Sequence, residues 1–184
     1  MTTAGWPCGE PVSRVTSIEL HTFEQIFAQY APYAGRTLRF LGVDEANVED
    51  VCQEVFIVVH RRMRELRETS SVRAWVRQIC VYLAHNERRR VRRRRENPSI
   101  EHVEIATPAQ QQGTSELREM RDRLLVLLER LAEDQRAVFV LYEIEQLTMA
   151  EVASAVGCPL QTAYSRLHSA RARIAESIAL EEAS

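Results

Sequence analysis

Thr148-Met149-Ala150-Glu151-Val152-Ala153-Ser154-Ala155-Val156-Gly157-Cys158-Pro159-Leu160-Gln161-Thr162-Ala163 is the stretch whose reading settles the architecture. Thr148 followed three residues later by Glu151 is a capping box, and it opens a short helix. Ala150, Val152, Ala153 and Val156 are the packing residues of that helix. Gly157 tolerates the positive φ that a sharp turn requires. Pro159 then sits at or beside the start of a second helix, where its missing N–H does no harm. In that helix Ala163, Leu167, Ala170 and Ile174 share one face at steps of four, three and four. The other face carries Gln161, Thr162, Ser165, His168 and Ser169, flanked by Arg166, Arg171 and Arg173. An ordinary helical hairpin with a solvated face has the same skeleton. The capping box, the turn glycine and the arginine-flanked polar face together favour a helix-turn-helix whose second helix meets DNA.

Upstream, the pattern is helical almost throughout, and no strand-like alternation is long enough to count. Thr22 and Gln25 form another capping box, before Phe23, Ile26, Phe27, Tyr30 and Ala34 at helical spacing. Pro32 predicts a kink or break in that helix, and Gly42 ends the unit. A second helix is expected over residues 45–66, with Val48, Val51, Cys52, Val55, Phe56, Val59 and Met63 as its apolar stripe. A third starts near Val72, buries Trp75, Val76, Ile79, Cys80 and Leu83, and continues into a run of arginines. Pro98, Pro108, Gln110 to Gln112 and Gly113 mark residues 96–114 as a linker. Ser115 caps a fourth helix with Leu117, Met120, Leu124, Leu127, Leu128 and Leu131 on one side, and another follows over residues 134–145. The fold class expected is all-α: a lead-in over residues 1–18, a helical domain over 19–95, the flexible linker, a second helical domain over 115–178, and a tail over 179–184.

Charge is segregated along the chain. Seven arginines fall between Arg88 and Arg95, and residues 61–95 carry +10 in a protein whose net charge is −2. A basic surface concentrated in this way points to a polyanion, with nucleic acid first. Such runs are also found as repelled, solvated tails. Here the run continues a helix bearing Trp75 and Tyr82, and rings interleaved with arginines suit single-stranded or distorted DNA. All 24 basic residues are arginine, a bias that genome composition can produce without any phosphate to recognise. On the preceding helix Asp50, Gln53, Glu54 and Ile57 lie at i, i+3, i+4 and i+7, one stripe beside the apolar one. A solvated face is the ordinary reading of that stripe, and a docking surface is the other.

Several classes fall away. Cys8, Cys52, Cys80 and Cys158 fit no zinc template, and Cys52 and Cys80 read as small buried residues of a reducing compartment. The five histidines are scattered, so neither a metal centre nor a nucleophile–base pair is visible, and no cofactor or enzymatic activity is expected. No apolar run is long enough for membrane insertion. The expected location is cytoplasmic.

These residues resemble a sigma factor of RNA polymerase, of the sigma-70 family and its extracytoplasmic-function group. Residues 23–95 resemble region 2, through Asp50-Val-Cys-Gln-Glu-Val-Phe56 and Val72-Arg-Ala-Trp-Val-Arg-Gln-Ile79. Residues 124–174 resemble region 4, through Leu131-Ala-Glu-Asp-Gln-Arg-Ala-Val-Phe139, Thr148-Met-Ala-Glu-Val-Ala153 and Ser165-Arg-Leu-His-Ser-Ala-Arg171. The resemblance implies that Asp50, Gln53, Glu54 and Ile57 dock on the clamp helices of the polymerase β′ subunit, and that region 4 meets the β flap. It implies that Arg67, Ser70, Ser71, Arg73, Trp75, Arg77, Tyr82, Asn86, Arg89 and Arg90 open and read the minus-ten element. A base of the opened strand would be flipped into region 2. Gln161, Thr162, Ser165, Arg166, His168, Ser169, Arg171 and Arg173 would read the duplex minus-thirty-five element in its major groove. An anti-sigma protein is the further partner implied. Cys80-Val81-Tyr82 stands where the family commonly has Ala-Arg-Asn, so the detailed minus-ten contacts do not carry over. Leu160-Gln161 replaces a frequent acidic-Gly pair, and Tyr164 a basic residue, so promoter sequence does not carry over either. The competing reading is a stand-alone helix-turn-helix regulator that needs no polymerase, which would leave the acidic stripe idle.

Overall fold

A computed structural model describes residues 22–63, 71–96 and 115–182. Among them the regular elements are helices. α1 (Phe23–Phe40) begins at the first capping box: the Gln25 N–H donates to Thr22 Oγ1, and the Thr22 N–H donates to Gln25 Oε1 at 2.9 Å. A cap of this kind contributes about 1 kcal/mol. Of the kink or break expected at Pro32, the break is absent: α1 runs through it. Pro32 and Ala28, whose carbonyl loses its donor, are both exposed, so water can satisfy the carbonyl. Gly42, at φ 87°, turns the chain as expected. Arg39 and Glu45 clamp that turn with two hydrogen bonds of 2.6 and 2.8 Å.

α2 (Glu45–Arg61) and α3 (Val72–Glu96) complete a three-helix unit. Ile26, Leu38, Val55, Val59, Val76 and Cys80 are fully buried between them. Burial pushes the Cys80 and Cys52 thiols up, so both remain protonated packing groups.

The second unit is α4 (Ser115–Glu129), α5 (Glu133–Phe139), α6 (Met149–Val156) and α7 (Leu160–Glu182). This unit departs from two expectations. Leu117 and Met120 are 61% and 69% exposed, because the neighbours of α4 cover only its later turns, at Leu124, Leu127 and Leu128. The single helix expected up to Glu145 instead widens after Phe139 into a π turn, Val140–Ile144. The Glu145 N–H bonds the Val140 carbonyl at 3.0 Å, five residues back, and Gln146 follows at φ 56°. Such turns re-aim the residues after them.

The two units share one connected apolar core, with α1 against α4 and α3 against α6. The linker expected over residues 96–114 lies outside the described residues but for Glu96. Among the described residues no helix is long and apolar enough to cross a membrane.

Candidate functional site

Three surfaces collect the polar residues singled out in the sequence. On α2, Asp50, Gln53, Glu54 and Ile57 are all exposed, while Val51, Val55 and Val59 face the core. Ile57 is 48% exposed, an apolar side chain in water beside two carboxylates. No cluster among the described residues has the composition to hold a metal. The stripe is an exposed acidic face with one apolar side chain, Ile57.

The helix-turn-helix forms as read. Thr148 caps α6 through the Glu151 N–H, and Glu151 Oε2 accepts from the Thr148 N–H at 2.9 Å. Hydrogen bonds from Thr148, helped by the charge of Arg77 across the molecule, hold the Glu151 carboxyl below the usual range. Gly157, at φ 66°, makes the turn. On α7, Ala163, Leu167 and Ala170 are buried against the preceding helices. Gln161, Ser165, His168, Arg171 and Arg173 are exposed; Thr162, Arg166 and Ser169 are half-buried. Two of these arginines already hold carboxylates of the same unit: Arg166 pairs with Asp134, and Arg171 Nη2 lies 2.6 Å from Glu143 Oε1. The Arg171 guanidinium also stands 5.6 Å over the Tyr142 ring.

α3 is less uniform. Ser71 Oγ accepts from the Ala74 N–H at 3.3 Å and so caps the helix. Tyr82 is 67% exposed, Arg89 and Arg90 are exposed, and Asn86 is half-buried. Arg90 pairs with the buried Glu87 at 2.7 Å. Trp75 is only 7% exposed and packs in the core, which leaves no ring face open to a base in this arrangement. Arg67 and Ser70 lie outside the described residues. Arg73 and Arg77 both reach Glu145 of the other unit, Arg73 with its side chain 53% exposed and Arg77 with 13%. Arg73 Nη2 is 3.1 Å and Arg77 Nη1 3.9 Å from Glu145 Oε2, and Tyr33 of α1 donates to the same oxygen at 2.8 Å. The Arg73 guanidinium stacks 4.9 Å over the Tyr33 ring. Burial, with the Glu145 hydrogen bond, pushes the Tyr33 hydroxyl up to about 12.

Tyr33, Glu145 and Arg136 were not legible as site residues. Arg136 is 5% exposed, donates from Nε to the Leu128 carbonyl at 2.7 Å, and approaches Arg88 beside Gly42. Desolvation, and then the charge of Arg88, pull it down to about 10. The sequence signal for Glu145 was faint: it is the second of two carboxylates, after Glu143, that follow the apolar run of residues 137–142.

Set beside known proteins, residues 26–95 match the family model of sigma-70 region 2, and residues 121–174 that of sigma-70 region 4. The ECF RNA polymerase sigma-E factor of Escherichia coli K12 is 30% identical over 144 residues, spanning 72% of this chain and 74% of that protein. Its counterpart in Haemophilus influenzae is 28% identical over 177 residues, spanning 91% and 93%. Among solved structures, the sigma factor RpoE of Bartonella quintana in complex with the anti-sigma factor NepR shares the fold with TM-score 0.63 at 22% identity, over 84% of this chain and 94% of that one. CnrH in complex with the cytosolic domain of CnrY gives TM-score 0.59 at 22% identity, over 88% and 89%.

Proposed function

This chain belongs to the sigma-70 family of RNA polymerase sigma factors, and from that premise we propose how its exposed faces divide the work of initiation. As a sigma factor it binds core polymerase, directs it to promoters and promotes their melting. The acidic face of α2, at Asp50, Gln53, Glu54 and Ile57, docks on the β′ clamp helices, and region 4 on the β flap. Arginines and Tyr82 on α3 take the minus-ten strand as it opens, phosphates on guanidinium groups and a base on the exposed ring. The outer face of α7, from Gln161 to Arg173, enters the major groove of the minus-thirty-five element.

The chain supplies binding energy and no chemistry of its own, so it is not an enzyme; the polymerase forms the bonds. It works in the cytoplasm, and an anti-sigma protein holds it inactive until its signal arrives. The domains run over residues 19–95 and 115–178, joined by the linker. The observation that carries this reading is the pairing, on one chain and in family order, of region 2 and region 4, each with a polar face exposed. A stand-alone DNA-binding regulator would leave the α2 face without a use.

Run-off transcription tests it: purified bacterial core polymerase, genomic promoter fragments, with and without this protein. Transcripts starting at defined sites only on its addition are expected. Asp50→Arg together with Glu54→Arg should abolish them while duplex binding by the free protein persists. Duplex binding with no transcript from the native chain would overturn the reading.

A further inference from the structure

Glu145 sits on the region 4 side of the seam between the two units, just beyond the π turn, and its side chain is only 3% exposed. A carboxylate removed from water to this degree must be compensated by cations and donors. All the compensation shown for it comes from region 2: the Tyr33 hydroxyl at 2.8 Å, Arg73 at 3.1 Å and Arg77 at 3.9 Å, all to one oxygen. Tyr33 is fixed in turn, with Arg73 over its ring and Arg36 5.9 Å away. Two guanidinium groups and a hydroxyl converging on one oxygen make the kind of socket that a phosphate oxygen fills.

We propose that Glu145 is an intramolecular stand-in for a promoter phosphate, occupying Arg73 and Arg77 while the two units are closed and releasing them only when the units part. The inference rests on the assignment of Arg73 and Arg77 to minus-ten DNA. It adds to that assignment a competition built into the chain: Arg77, 13% exposed, cannot hold Glu145 and a phosphate at once, and Arg73, 53% exposed, offers a phosphate only the donors turned away from Glu145. The closed arrangement therefore lowers the affinity of the free protein for the opened strand by the fraction of molecules that remain closed. On opening, Glu145 and Arg77 return to water, where Arg73 already stands 53% exposed, and any partner that separates the two units arms the minus-ten surface. The π turn is the device that aims the carboxylate. A regular helical ending after Phe139 would rotate Glu145 by a good part of a turn, away from α3.

The test uses the full chain without polymerase. Glu145→Gln keeps the shape and an acceptor for Tyr33 but removes the charge. Small-angle scattering reads the separation of the units. A fluorescein-labelled single strand, spanning the minus-ten segment of a promoter found by run-off transcription, reads the socket. The variant is expected to be more expanded and to bind the strand about 10-fold more tightly. Tyr33→Phe removes one donor and keeps the ring; it should shift both readouts the same way, by about 3-fold in affinity. It carries the test if circular dichroism shows Glu145→Gln unfolded. Glu143→Gln, on the Arg171 face of the same unit, should leave strand affinity at the native value. Expansion without tighter binding would overturn the stand-in. So would neither effect in both variants, or equal tightening by Glu143→Gln. The sigma-factor reading fails separately, by absence of run-off transcripts from native protein and core polymerase.

Discussion

The two ends of α3 carry the same residue type with different partners. At its start Arg73 and Arg77 meet a buried carboxylate, a hydroxyl and a ring. Toward its end Arg89, Arg92, Arg93 and Arg94 are exposed to solvent. The crowded end dominates any count of charge, yet the sparse end has the defined geometry. Arginines held at fixed distances can discriminate one anion position from another. Arginines on an open face raise affinity for any polyanion, and salt screens them. On the proposed reading, the helix carries a geometric socket at one end and an electrostatic grip at the other. The middle of α3 continues the contrast inward: Arg88 bonds the Leu41 carbonyl at 3.0 Å, and Arg136 approaches it from region 4.

The contrast is broken most severely at the buried extreme. Arg136→Ala should remove the donor to Leu128 and open a cavity where the guanidinium lay, at a cost of about 3 kcal/mol in urea unfolding. Arg136→Met should recover part of that loss, since it refills the stem without the desolvated charge. An unfolding midpoint unchanged by Arg136→Ala would mean that burial of this arginine contributes nothing. Tyr33 gives the next largest effect. Its hydroxyl ionises near 10 in an unfolded chain and about 12 in the fold. Below pH 10 both states hold the proton; between 10 and 12 only the folded state does, so stability falls as pH rises through that window. The loss should reach on the order of 2 kcal/mol by pH 12. Tyr33→Phe should lack that part of the alkaline slope, and identical slopes in the two proteins would remove Tyr33 from the seam's energetics. Gly42→Ala comes third. A Cβ there would stand 1.9 Å from Arg136 Nη1, on a backbone at φ 87°. Even with Arg136 displaced, the backbone strain alone should cost about 1 kcal/mol.

Much of this fold was legible because its signals are local. Both capping boxes, at Thr22 and Thr148, form the bonds that their spacing predicts, Gly157 takes the positive φ expected of it, and Gly42 turns the chain at the end of α1. The faces of α2 and α7 followed from periodicity, since a helix fixes which residues share a side. Pro32 failed as a breaker because its cost depends on whether the orphaned carbonyl meets water, which the sequence does not state. The π turn went unread for a similar reason: one inserted residue leaves almost no trace in a run as uniformly apolar as residues 137–142. The seam was illegible altogether. Tyr33 and Glu145 are 112 residues apart, and no spacing rule links them. Trp75 shows the hazard of reading a ring by type: the periodicity that buries it outweighs the arginines around it.

The smallest effect sharpens the comparison most. Arg94 is exposed on the open end of α3. Arg94→Ala should therefore change stability by no more than about 0.5 kcal/mol, as surface substitutions do. Its mark should appear in the salt dependence of DNA binding, where losing one phosphate contact flattens the slope of log K against log salt by about 1. All promoters should weaken alike, because an unpositioned guanidinium carries no sequence information. A loss confined to one promoter would give Arg94 a fixed geometry on DNA that it lacks in the free chain. The division of α3 into a socket and a grip would then hold only before DNA binds.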